Sequence, residues 1–111
     1  MSRVFWSLAL FLISGAAITA SAQASGDALF DGKCAACHGK DGRGKTSFAQ
    51  KAQIPDLASA EVQSMSDPDL YESIARGTKH KAYPHAFALR GMSSSEIEAL
   101  VRRVREFGKK K

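Results

Sequence analysis

The segment Cys34-Ala35-Ala36-Cys37-His38 limits what this chain can become more than any other. It holds both cysteines of the 111 residues. C-x-x-C-H is the pattern of covalent haem attachment. Two thiols add across the two vinyl groups of one porphyrin edge and leave thioethers. Cysteines three apart on a helical turn project to one side and can span that edge. The adjacent histidine can then turn its imidazole beneath the iron, with its other ring nitrogen donating to a backbone carbonyl. Other uses of the pair fit less well. A structural zinc site wants four ligands, usually from paired motifs, and there is no second cysteine pair. A thioredoxin-type site wants its C-x-x-C at a helix start within a βαβ pattern, and no segment here alternates as a strand. In an oxidising compartment the pair could close as a small disulfide, but His38 argues for haem.

That compartment is suggested by the first residues. Arg3 is the only charge before Asp27, an apolar run follows from Val4 through Ile13, and small residues come next. This is the order of regions in a secretory signal peptide. Ala20-Ser21-Ala22 and Ala22-Gln23-Ala24 both suit the cleavage rule, so residues 1–22 are expected to be removed, with the cut after 22 or 24, leaving a domain over 23–111. The apolar run is shorter than the roughly 18–20 residues of a spanning helix, so export with cleavage is preferred to an uncleaved anchor. The periplasm, or another exported location, is the expected destination.

What remains is roughly 90 residues, a size that often relies on a disulfide, a metal or another staple. A covalently held porphyrin would act as one. The formal charge of +5 falls by one when Arg3 is lost, and two haem propionates lower it further. Much of the positive charge lies at the end, in Arg102, Arg103, Arg105, Lys109, Lys110 and Lys111. Two readings stay open: a solvated helix face with a basic tail, or steering toward an acidic redox partner. No aromatic-interleaved basic motif points to nucleic acid, and membrane contact is expected only through a partner.

Periodicity predicts an all-α domain of short helices. The first runs from Gly26 to about Lys33 and leads into the C-x-x-C-H turn. A glycine-punctuated loop follows, Gly39 to Lys45, in which Gly42 and Gly44 permit unusual backbone angles. Pro55 keeps Ile54-Pro55-Asp56-Leu57 out of any helix interior. Ser66-Asp67-Pro68 opens another helix, with a cap followed by proline, and Gly77 stands where it should stop. Leu70, Ile74 and either Tyr71 or Ala75 form its apolar stripe. In the last helix Ser93 and Glu96 form a capping-box pattern. Ile97, Leu100, Val101, Val104 and Phe107 follow at helical spacing, and Gly108 is expected to end it.

Gly26-Asp27-Ala28-Leu29-Phe30 with Cys34-Ala35-Ala36-Cys37-His38-Gly39, and Ser94-Ser95-Glu96-Ile97-Glu98-Ala99-Leu100-Val101 near the end, resemble the opening and closing segments of the small monohaem class I c-type cytochromes. The resemblance spans the whole mature chain. It implies the cytochrome c fold, short helices wrapped around one covalently attached haem c. It also implies a crossed pair of terminal helices, with Gly26 allowing close approach and Phe30 packing near Leu100. A further implication is that the Pro55 carbonyl accepts from the ring of His38. The chain departs from the family where an aromatic often stands three residues after the leucine, since that position is Arg103. Its only tryptophan, Trp6, lies in the signal segment.

The second departure concerns the other face of the iron. The family supplies methionine there, in a Met-Pro-x-Phe or Met-x-Phe pattern before the last helix. Between Gly77 and Ala88 this chain has no methionine, and His85-Ala86-Phe87 takes the Met-x-Phe place. His85 is therefore the expected sixth ligand, beside Pro84 and Phe87. His80 lies between Lys79 and Lys81 and reads as a solvated polar residue. Met92 is a rival because Met/His is a common cytochrome pairing. Yet it directly precedes the cap Ser93, with Ile97 at the N4 position, and so reads as a hydrophobic staple. Met65 reads as core, and an open site is the remaining alternative.

These readings lead to a monomeric one-electron carrier, not an enzyme, with His38/His85 ligation and a lowered potential. Lys40, Arg43, Lys45, Lys79, Lys81 and Arg90 are candidate rim charges. A five-coordinate or labile-ligand haem protein that binds a small gas or peroxide is the alternative class. A haem subunit of a larger redox complex is a third.

Overall fold

The computed structural model describes Gly15, residues 25–80 and residues 85–109. The expected signal segment and its cleavage sites lie outside the described residues, Gly15 aside, and so does Lys81. Among the described residues there are six α-helices and one 3-10 turn, with no strand. The helices are α1 (Gly26–Lys33), α2 (Ala35–His38), α3 (Ser47–Ala52), α4 (Ala60–Gln63), α5 (Asp67–Ala75) and α6 (Ser94–Lys109). The 3-10 turn, Phe87–Arg90, stands between α5 and α6. No helix among the described residues is long and apolar enough to cross a membrane.

Hydroxyl caps start most of these helices. Ser25, Thr46, Ser59 and Ser66 each accept from a backbone N–H three residues on, which satisfies one of the orphan donors of a first turn. Ser93 Oγ does the same for Glu96 N at 3.2 Å. α5 carries Pro68 in its first turn and ends before Gly77, whose φ of +76° suits glycine. The capping signals of α5 and α6 are thus realised. α3 and α4 were not expected, because six and four residues are too few to show a helical period.

α6 is the spine. Four of its five buried residues split between two apolar clusters. Leu100 and Phe107 join Leu29, Phe30 and Ala35, while Val101 and Val104 join Val62 and Leu70. α1 and α6 cross at Gly26, where a Cβ would lie 2.6 Å from the Ala99 carbonyl oxygen. Phe30 is 1% exposed, and its ring meets Phe107 edge-on at 4.9 Å. The close crossing and the placement of Phe30 with Leu100 agree with the expected terminal pair.

Arg103, at the family's aromatic position, closes the same crossing by charge. Its Nε lies 2.9 Å from Asp27 Oδ1 and its Nη1 3.0 Å from Glu106 Oε2. The guanidinium sits 4.3 Å from the centre of the Phe107 ring, a cation–π contact.

Gly108 does not end α6, which continues to Lys109. Its role is close approach. A Cβ there would lie 2.4 Å from Cδ of Gln63, whose Nε2 donates to the carbonyls of Leu57 and Val104 at 2.7 and 2.9 Å. That side chain fastens the α4 segment under α6.

Candidate cofactor site

The C-x-x-C-H segment folds as a tight pair of turns. Cys34 closes α1, its N–H donating to the Phe30 carbonyl, and opens α2, which carries Cys37 and His38. Thr46 Oγ1 donates to the Cys37 carbonyl at 3.0 Å, and Gly44 N to the His38 carbonyl at 2.8 Å. A Cβ at Gly44 would lie 2.8 Å from the Ile54 carbonyl oxygen, so this loop packs against the Pro55 segment. Gly42, at φ +70°, seats its backbone on the Phe107 ring, within 2.7 Å of where a Cβ would stand.

These turns form one wall of a cavity of about 420 Å³. Cys34 and His38 line it from one side, and His80, His85 and Phe87 also reach it. Ile54, Pro55 and Leu57 contribute a second stretch of wall, and Val62, Leu70 and Leu100 supply apolar surface. A mostly apolar cavity with a few polar groups converging on it is the usual form of a cofactor site.

His38 is 6% exposed, and its Nδ1 is buried without a hydrogen-bond partner among the described residues. The bond to the Pro55 carbonyl implied by the resemblance is therefore not formed here. Burial, followed by the charges of His85 and His80, pushes His38 down to about 4. Burial likewise lowers His85, and His80 lowers it further, against a smaller upward pull from the Ser73 carbonyl. Both rings are thus neutral near pH 7 and have a lone pair to offer a metal. Burial, and then Cys37, raises the Cys34 thiol to about 11. A redox-active C-x-x-C needs a depressed thiol, and the Cys34 thiol is shifted the other way.

His38 and His85 face each other across the cavity with ring centres 6.1 Å apart. Two imidazoles bound to opposite faces of one metal, at metal–nitrogen distances of about 2.0–2.1 Å, have ring centres roughly 6 Å apart. The pair fits a single metal atom between them. Among the described residues no three of His, Cys, Asp and Glu converge to hold a bare ion.

The profile of the cytochrome c family matches residues 23–105. The chain is a member of the cytochrome c family. No curated protein shows detectable similarity to it. As a cytochrome c, it has the all-α fold of that family and binds one covalent haem c, the cofactor of a haem-based electron carrier. When bound, the haem supplies a one-electron ferric/ferrous couple. The unpartnered ring of His38, the two cysteines beside it and the apolar cavity all fit that group.

The other candidate ligands separate by position in this cytochrome. His80 lines the cavity beside His85, with ring centres 4.1 Å apart and edge-on. Met65 also lines it, while packing with Val62, Leu70, Val101 and Val104. Met92 does not. It packs into the Phe30–Leu100 cluster, the apolar role its place before the cap indicates.

The basic residues also divide. Arg103 and Arg105 are not a solvated face. Arg105 Nε donates to Asp67 Oδ1 and Nη1 to the Gln63 carbonyl, each at 2.8 Å, and Nη2 donates to the Met65 carbonyl. At the rim Lys79 pairs with Asp69 at 2.7 Å, and Arg43 lies 3.9 Å from Asp56. Lys40, Lys45 and Arg90 form no ion pair among the described residues. Sequence patterning alone missed these commitments, since apart from Glu106 each partner lies on another element or many residues away.

Proposed function

We propose that the chain is an exported one-electron carrier in which Cys34 and Cys37 hold the haem through thioethers, with His38 and His85 as the axial ligands of its iron. The observation that carries this reading is the 6.1 Å separation of the two rings across the cavity. It is supported by their neutral state and by the absence of methionine between Gly77 and Ala88. With His38 and His85 both holding the iron, no position on it would be open to substrate, and the haem would supply outer-sphere electron transfer. A second imidazole in place of methionine favours the ferric state, so the potential lies below that of Met/His cytochromes.

The partner is a redox protein with an acidic face, met by Lys40, Lys45 and Arg90. The carrier is a monomer, and the periplasm is the compartment that suits the N-terminal segment. Neither nucleic acid nor the membrane surface is a partner.

Spectroscopy and redox titration of the holoprotein beside His85→Ala test the assignment. The wild type is expected to be low-spin with a bis-imidazole signature and a low potential, and the variant to lose both. A potential as high as in Met/His members would refute it. Rapid carbon monoxide binding by the ferrous wild type would instead favour a gas- or peroxide-binding haem protein.

A further inference from the structure

We propose that the last turn of α5 positions His85, through the carbonyl of Ser73, so that its Nε2 is the nitrogen offered to iron. This rests on the reading of His85 as the sixth ligand. His85 Nδ1 lies 3.3 Å from the Ser73 carbonyl oxygen. A carbonyl only accepts, so Nδ1 carries the proton and the lone pair is on Nε2. The same oxygen accepts from Gly77 N at 3.2 Å. It also accepts from Arg76 N and lies in the last turn of α5, where the helix dipole is negative.

Two further contacts hold the ring. Phe87 stacks on it with centres 5.4 Å apart and planes 26° apart. His80 meets it edge-on, with an interplanar angle of 78°. The 3-10 turn, the segment after α5 and the end of α5 itself thus restrain one imidazole from three directions. His38 has no comparable restraint on Nδ1. The orienting hydrogen bond of this cytochrome lies on the His85 side of the cavity.

The consequence is electronic as well as geometric. A hydrogen bond from the remote N–H to a carbonyl makes an imidazole a stronger donor. Stronger donation stabilises ferric iron more than ferrous. Ser73 thereby lowers the potential beyond what the change from methionine to histidine does.

The test uses the holoprotein with ¹⁵N-labelled histidine in its ferrous low-spin form, compared with a holoprotein carrying Nδ1-methylhistidine at position 85. The expected spectrum shows an Nδ1–H of His85 protected from exchange, with Nε2 bound to iron. The methylated protein is expected to stay low-spin while its ferrous form gains roughly threefold to tenfold, the worth of about one net hydrogen bond. A tenfold gain would read as 59 mV for one electron. An Nδ1–H that exchanges at the rate of an exposed imidazole, iron bound at Nδ1, or an unmoved potential would overturn the inference while His85→Ala still abolishes the low-spin signature. An unchanged spectrum in His85→Ala overturns the ligand assignment itself, and this inference with it.

Discussion

Arg105→Ala should be among the most damaging surface substitutions in this protein. Arg105 stands on α6 with its side chain 26% exposed, and it reaches three acceptors on the segment that joins α4 to α5. Two are the carbonyls of Gln63, the last residue of α4, and of Met65, two residues beyond it. The third is Asp67, whose side chain is 69% exposed. A hydrogen bond from a charged donor contributes about 1.5–3 kcal/mol, and an exposed ion pair about 0–1 kcal/mol. Water can replace part of what the two half-buried carbonyls lose. The expected cost is therefore about 2–3 kcal/mol, most of it from the carbonyls. For a domain of this size each kcal/mol shifts the melting temperature by roughly 4–8 °C, so Tm should fall by about 10–20 °C. Far-UV circular dichroism of the ferric holoprotein during thermal and urea unfolding measures it. The effect should persist in high salt, because neutral carbonyls are not screened as a charge pair is. Arg105→Lys should recover less than half, since one ammonium cannot reach three acceptors held by a planar fork. A cost for Arg105→Ala within about 0.5 kcal/mol, the ordinary range for a surface change, would refute the reasoning.

Two further outcomes follow from the same packing. Gly26→Val should separate α1 from α6, because even its Cβ would stand 2.6 Å from the Ala99 carbonyl oxygen; a loss of about 1–3 kcal/mol in urea unfolding is expected, and an unchanged midpoint would contradict the crossing. Acid should also weaken the fold in a defined window. In the haem-free chain His38 is held at about 4, against 6.5 for a free imidazole, so an unfolded chain binds a proton in that interval that the folded chain refuses. Stability from this source is complete above about pH 6.5 and is lost as pH falls toward 4, with the lowered His85 acting in the same direction. Urea midpoints measured near pH 7.5 and near pH 5 should differ, the lower being at pH 5, and equal midpoints would count against buried neutral rings.

Much of the frame was legible along the chain. Ser66-Asp67-Pro68 and Ser93-Ser94-Ser95-Glu96 mark helix starts because capping depends on residues three apart. The stripe from Ile97 to Phe107 marks a buried face because its period is that of the helix. Cys34, Cys37 and His38 announce the cofactor for the same local reason: a porphyrin edge is short enough for one turn to span. Gly108 misled because glycine at a helix end usually marks a stop, and here the need is room for Gln63, a residue distant in sequence. α3 and α4 escaped notice because a helix of one or two turns shows no repeat.

The chain by itself therefore determined the class of fold, and it marked Cys34, Cys37 and His38 as the expected haem-attachment segment and His85 as the expected sixth ligand, readings that rest on neighbours within a turn or two. Tertiary structure decided what depends on residues far apart. It placed His85 and His80 at the cavity and packed Met92 against the Phe30–Leu100 cluster. It set the Ser73 carbonyl beside Nδ1, and it turned Arg103 and Arg105 from apparent surface charge into ties between helices. Each of those assignments is a distance between elements, and only packing around α6 sets such distances.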